Sequence, residues 1–141
     1  MSTVLILAAR GRARHYPGGM SPEHREPLTA PDCVFCRIVA GEIPADVVAE
    51  TEVAIAFRDV DPKAAMHLLV VPRDHHADVA QLAAADPALL AAVVRLANEV
   101  AEDEGNGQFR LVFNTGAEAG QSVFHVHAHV LGGQRLGWTP A

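Results

Sequence analysis

Three features of the 141-residue chain predict an α+β fold built on an antiparallel sheet. Short apolar runs recur with turn residues between them, one long stretch carries a single apolar helical face, and the order of elements is α-β-β-β-α-β-β. The connections between neighbouring β segments are mostly short, so neighbours pair as hairpins and the helices pack against one sheet.

The elements follow in order. "MSTVLILAAR" offers an apolar run of about six residues, short of the ~7–15 of a secretory core, and its arginines follow the run instead of preceding it. "GRARHYPGGMSPEHREPLTAPD" mixes Gly, Pro and charge without periodicity, which predicts a flexible extension over residues 1–30, with Met20 as an alternative start. One domain over 31–141 follows. "CVFCRIVAGEIP" reads as a short helix stopped at Gly41, and "ADVVAETEVAIAFRDVDP" as two strands, Val47–Ala49 and Val53–Val60. "HLLVVPR" is a nearly all-apolar strand ending at Pro72. Asp86 and Pro87 open the long helix, Leu89, Leu90, Val93, Leu96, Ala97 and Val100 form its apolar face, and Gly105 ends it. "FRLVFNT" and "HVHAHVLGG" supply the last two strands.

Composition narrows the function. With 11 basic against 17 acidic residues the net charge is −6, which argues against a nucleic-acid surface though not against one nucleotide in a pocket. No apolar run approaches the ~20 residues of a membrane span. Cys33 and Cys36 are too few for a disulfide framework, so a reducing, cytoplasmic setting is expected. Ten of the eleven basic residues are arginine, a compositional bias and not chemistry.

The chemistry concentrates in "GQSVFHVHAHVLGG", Gly120 to Gly133. On a strand, His125, His127 and His129 share one face while Val126, Ala128 and Val130 point to the core. An idle exposed face would carry mixed Lys, Glu, Thr and Ser. Zinc ligation is a second reading, and nucleophilic attack on phosphorus a third, since a neutral imidazole is nucleophilic near pH 7. The preceding "NTGAEAGQS" favours the third. Its glycines let main-chain N–H groups approach a phosphate, and Ser122 adds a donor.

"HVHAHVL" resembles the histidine-triad (HIT) signature, His-φ-His-φ-His-φ-φ with φ apolar, and the similarity runs over residues 33–141. "AGQSVFHVHAHVLGG" with a tail carrying "GWTP" resembles the Hint branch, the histidine-triad nucleotide-binding proteins; the Pro-Arg continuation of the Fhit-like branch is absent. The resemblance implies a HIT domain with a five-stranded antiparallel sheet, a short N-terminal helix and one long helix, paired as a twofold homodimer. It implies a hydrolase that cleaves purine nucleoside phosphoramidates, or aminoacyl-adenylates, to the nucleoside monophosphate and an amine. Dinucleoside polyphosphate hydrolysis and a non-catalytic purine-nucleotide-binding regulator remain the alternatives.

Carried over position by position, His127 is the nucleophile, His129 contacts phosphate, and His125, His67 and Ser122 complete the catalytic set. Asp59 matches the ribose-binding carboxylate. Phe35, Ile38, Phe57, Val60 and Leu69 match the apolar purine slot, and Asn114, Gly120, Gln121, Ser122 and Val123 the phosphate side; the apolar residues among these also serve as core. Arg58 departs from the histidine common in vertebrate Hint proteins. "CVFC" has chelating spacing, and the resemblance to some bacterial members implies a structural zinc on Cys33, Cys36, His75 and His125, with His76 as the rival to His75 and no catalytic metal. Trp138 matches the tail residue that reaches the partner's site and shapes leaving-group specificity, while Thr139 replaces a proline found in many such tails.

Overall fold

The computed structural model describes residues 5–6 and 28–138. The expectation of a flexible extension over residues 1–30 therefore falls largely outside the described residues, as does Thr139. Cys33 caps helix α1 (Val34–Val39), its Sγ accepting the Cys36 N–H at 3.3 Å. Gly41, at φ +82°, ends α1 and turns the chain in the left-handed region a side chain would resist. Strands β2 (Val47–Glu50) and β3 (Ala54–Arg58) form a hairpin whose turn is held by Thr51 Oγ1, which accepts the N–H groups of Val53 and Ala54. Strand β4 (Met66–Pro72) is buried along its whole length.

Two helices come next. Asp78 caps α2 (Val79–Ala85) and Asp86 caps α3 (Pro87–Glu104), each carboxylate accepting an N–H three residues on. The sequence pattern anticipates α3 closely but not α2, because α2 buries only Leu82 and so shows no apolar stripe. Strands β5 (Phe109–Val112) and β6 (Ala128–Gly132) complete the expected five. A two-residue strand β1 (Leu5–Ile6) adds a sixth by pairing with β2. The sheet is antiparallel throughout, in the order β1-β2-β3-β4-β6-β5.

Register separates the two faces. On one, Ala54, Ala56, Leu68, Val70, Ala128 and Val130 pack under Val93, Leu96, Ala97 and Val100 of α3. On the other, Phe57, Leu69, His129 and Val112 stand side by side across four strands. Helix α1 covers only part of this second face, where Phe35 packs with Ile55, Phe57, Leu69 and Val71. The remainder holds the histidines.

The strand expected across all three triad histidines is shorter than that. Regular pairing with β4 stops at Val70↔Ala128, so only His129 lies in β6. Two residues on, the register would set Pro72 opposite Val126, but the Pro72 carbonyl is taken by His125 Nε2 at 2.9 Å. The Val126 N–H turns instead to the His76 carbonyl at 2.7 Å. Val126 still faces inward, against Leu82 and Leu89. Alternation survives where the ladder does not.

Gly132 has the least room of the described glycines, for a Cβ there would lie 2.6 Å from the Gln108 carbonyl oxygen and 2.9 Å from Met66 Cε. Gly132→Ala must push β5 off β6 and is expected to lower unfolding free energy by about 1–3 kcal/mol, read from a denaturant midpoint. A wild-type midpoint would show that the β5 edge yields freely.

Candidate active site and metal centre

His127 is buried, with 9% of its surface exposed. Its Nδ1 lies 2.8 Å from the His125 carbonyl oxygen. A carbonyl only accepts, so Nδ1 carries the proton and Nε2 keeps its lone pair. Burial pushes the His127 pKa below its ordinary value, against a raising contribution from that hydrogen bond. The ring is neutral near pH 7 and presents one defined nitrogen as a nucleophile.

A second chain of hydrogen bonds fixes His129. The Lys63 main-chain N–H donates to His67 Nδ1 at 2.9 Å, so His67 carries its proton on Nε2. That Nε2 lies 3.0 Å from His129 Nδ1 and 3.4 Å from Asp59 Oδ2. With His67 as the donor, His129 Nδ1 accepts and His129 Nε2 bears the remaining proton. Burial pushes the His129 pKa down to about 4, with the neighbouring His127 and His67 adding to the effect. His129 is thus a neutral donor, its ring centroid 5.0 Å from that of His127. A lone pair and an N–H sit side by side, as attack on a phosphorus with its oxygens held requires. Asp59, His67 and His129 also bring three ligand-type atoms within 4.8 Å of one another. The Lys63 N–H nevertheless keeps the proton on His67 Nε2, which makes that nitrogen a donor and not a ligand.

The other expected residues divide by location. Phe35, Phe57 and Leu69 form one apolar cluster, with Ile38 and Val123 packed on it, beside the histidines. The Phe35 ring meets His127 edge-on at 5.0 Å. Val60 stands fully exposed and lines no slot within the chain. Asp59 Oδ1 accepts the Asp61 N–H at 2.8 Å, keeping lone pairs free for hydroxyls. Gly120, at φ +98°, packs beside Asn114, and Ser122 is exposed. Gln121 is buried and fully engaged: Oε1 accepts from Gly116 N–H, while Nε2 donates to the carbonyls of Ala77 and Val123. Its side chain latches the loop. Arg58 lies on the α3 side, bridging Asp46 and Glu104. Trp138 is 81% exposed, next to Gly137, whose carbonyl accepts from Arg110 at 2.5 Å.

Cys33, Cys36, His75 and His125 converge, their ligand atoms all within 4.8 Å of one another. Cys36 Sγ is 3.4 Å from His75 Nδ1 and 3.5 Å from His125 Nδ1, Cys33 Sγ is 3.4 Å from His125 Nδ1, and the two Nδ1 atoms are 3.2 Å apart. A tetrahedron with zinc–nitrogen and zinc–sulfur arms has edges of about 3.3–3.8 Å. The set fits. His125 Nε2 donates to the Pro72 carbonyl at 2.9 Å, leaving Nδ1 unprotonated for a metal, the outer-shell partner such a ligand requires. Burial lowers the pKa of His75, and that of His125 to about 4, so both are neutral as ligation demands. Burial raises that of the Cys36 thiol, whose Sγ faces the Ala30 N–H. His76 stands outside the cluster.

Sequence reasoning missed Lys63 and Pro72, which act through main-chain atoms. No side-chain identity signals such a role, although a proline ending an apolar strand hints at a freed carbonyl.

Comparison with known proteins agrees with this geometry. Residues 40–136 match the model of the HIT domain family. An uncharacterized HIT-like protein of Synechocystis is 48% identical over 115 residues, covering 79% of this chain and 98% of that protein. A HIT family hydrolase from Legionella pneumophila superposes with TM-score 0.74 at 43% identity, covering 78% of this chain and all of that one. A histidine triad nucleotide-binding protein from Candida albicans gives TM-score 0.64 at 30% identity, covering 78% of this chain and 84% of the other.

Two measurements test the site. Purified protein is expected to carry one zinc per chain, lost in Cys36→Ser and kept in His76→Ala; loss in His76→Ala would exchange the two histidines. In an NMR titration His129 should stay neutral far below its ordinary value of 6.5, titrating near 4. Because the unfolded chain takes that proton first, the stability tied to His129 is whole above about pH 6.5 and falls away toward pH 4. A midpoint near 6.5 would mean that the ring is solvated.

Proposed function

The chain belongs to the HIT domain family, and from that footing we propose that it hydrolyses purine nucleoside phosphoramidates or aminoacyl-adenylates to the nucleoside monophosphate and the amine or amino acid. The observation that carries the reading is the His127 Nδ1–H bond to the His125 carbonyl, which leaves Nε2 as the lone-pair nitrogen beside the His129 donor. In the first step His127 Nε2 attacks the α-phosphorus, the bond to the leaving group breaks, an amine leaving group taking a proton from solvent, and a nucleotidyl-histidine forms. Water then attacks the same phosphorus, the P–N bond to His127 breaks, and the monophosphate leaves. His129 Nε2–H binds a phosphoryl oxygen throughout. Ser122 and the Gly120 turn contribute further donors to that phosphate or the leaving group, with Asn114 alongside.

The purine stacks in the slot of Phe35, Ile38, Phe57, Leu69 and Val123, and Asp59 accepts from the ribose hydroxyls. The domain over 31–141 works as a twofold homodimer in the cytoplasm, and Trp138 crosses to the partner's site to select leaving groups. Cys33, Cys36, His75 and His125 would hold a structural zinc, which would supply a cross-link between their four elements. The neighbours described as a hydrolase and as a nucleotide-binding protein support the reaction class.

Adenosine 5′-phosphoramidate is the direct probe. Wild-type protein should release AMP, and His127→Ala, folded and with its metal content unchanged, should lose at least about 10³-fold in kcat. AMP binding without turnover by the wild type would convert the reading to that of a nucleotide-binding regulator.

A further inference from the structure

Residue 125 belongs to two sites at once. Its ring points into the Cys33–Cys36–His75 cluster through Nδ1, and its carbonyl oxygen takes the His127 Nδ1 proton. Phe35 makes the same junction from the other side. It sits between the two cysteines in sequence, and its ring packs edge-on against both His127, at 5.0 Å, and His125, at 6.0 Å. Beyond apolar packing and the single Val126 N–H bond to His76, the regular hydrogen-bonded structure holding either element is short. Helix α1 is six residues long and buries only Phe35 and Cys36, too short to persist on its own hydrogen bonds. Residues 125–127 lie beyond the last β4–β6 pair, without a ladder to fix their main chain.

Resting on the nucleotidyl-histidine reading, we propose that the Cys33–Cys36–His75–His125 centre is a positioning device for the nucleophile, with His125 as its positioning residue. Tying the four side chains together pins the His125 backbone, so that its carbonyl stays on His127 Nδ1–H. It also pins α1, so that Phe35 stays against the His127 ring. Released from the cluster, the His125 peptide keeps only the ring bond to Pro72 and the Val126 N–H bond to the carbonyl of His76, itself the neighbour of the freed ligand His75, so the peptide can shift as a unit and carry its carbonyl off His127. The His127 proton then distributes over both nitrogens, and the share of molecules offering an Nε2 lone pair falls. The centre thereby makes attack on phosphorus depend on metal loading, with no metal near the reacting atoms.

The test reads the tautomer directly and needs no substrate. Long-range 1H–15N spectra are recorded on the zinc-loaded protein and again after chelation. Expected is His127 protonated at Nδ1 alone when loaded, and both tautomers after chelation, with the amide pattern of the sheet and α3 retained. Single-turnover formation of the nucleotidyl-protein should fall at least in proportion to the lost Nδ1–H share, about twofold for an even mixture. Val100→Ala serves as the control, since it loosens the α3–sheet core, a cluster that holds none of the metal ligands, and should leave the tautomer alone. A chelated, folded protein that keeps His127 purely Nδ1-protonated overturns the proposal. So does collapse of the whole sheet on chelation, which would make the centre a general staple, and so does a protein that takes up no zinc. A tautomer shift in a protein with no phosphoramidate turnover would sustain the positioning and sink the hydrolase.

Discussion

The His125 carbonyl decides which nitrogen of His127 carries a proton, and the chemistry of the site depends on that choice. The bond is buried, and its net worth is about 0.5–1.5 kcal/mol. The alternative tautomer would set a lone pair against a lone pair and leave a buried carbonyl unmet, at a cost of about 1–3 kcal/mol. Gain and penalty point the same way, so one tautomer dominates by more than tenfold. A short main-chain contact thus converts an ambiguous imidazole into a directional nucleophile.

The same device operates once more at one remove. Lys63 offers an N–H to His67, His67 passes a proton-bearing nitrogen to His129, and His129 ends the chain as a donor. The two chains leave opposite groups side by side, a lone pair on His127 and an N–H on His129. Sheet register makes this reliable, because Leu69↔His129 and His67↔Leu131 place His67 and His129 on one face of adjacent strands. Burial supplies the remaining condition by keeping both rings neutral.

Much of this was legible in the sequence, and the limits have physical causes. The α3 stripe, its Asp86 cap and the alternation around the histidines are local patterns, and local patterns report faces faithfully. Helix α2 escaped because one buried leucine makes no period, although Asp78 stood at its cap. The full-length triad strand was an over-reading, since side-chain alternation needs only extended backbone whereas a ladder needs donors on the neighbouring strand. Gln121 looked like a phosphate ligand by position, yet its three hydrogen bonds are all spent within the protein. Val60 is carried over from the family's purine slot, and it lies past the end of β3, where no described residue covers it. Only the family resemblance favours His75 over His76 in the sequence, and the structure brings His75, not His76, to the two cysteines.

Pro72 shows how a single residue can end one structure and begin another. Within β4 it contributes an apolar side chain like its neighbours. Its missing N–H leaves the carbonyl of Val126, two steps beyond the last pair, without a ladder donor, while the Val126 N–H goes to the His76 carbonyl. The carbonyl of Pro72 is then available to the His125 ring, where it selects Nε2–H and leaves Nδ1 toward the cysteines. The site therefore lies where the sheet stops: main-chain groups that a longer ladder would have paired with one another are left to orient imidazoles.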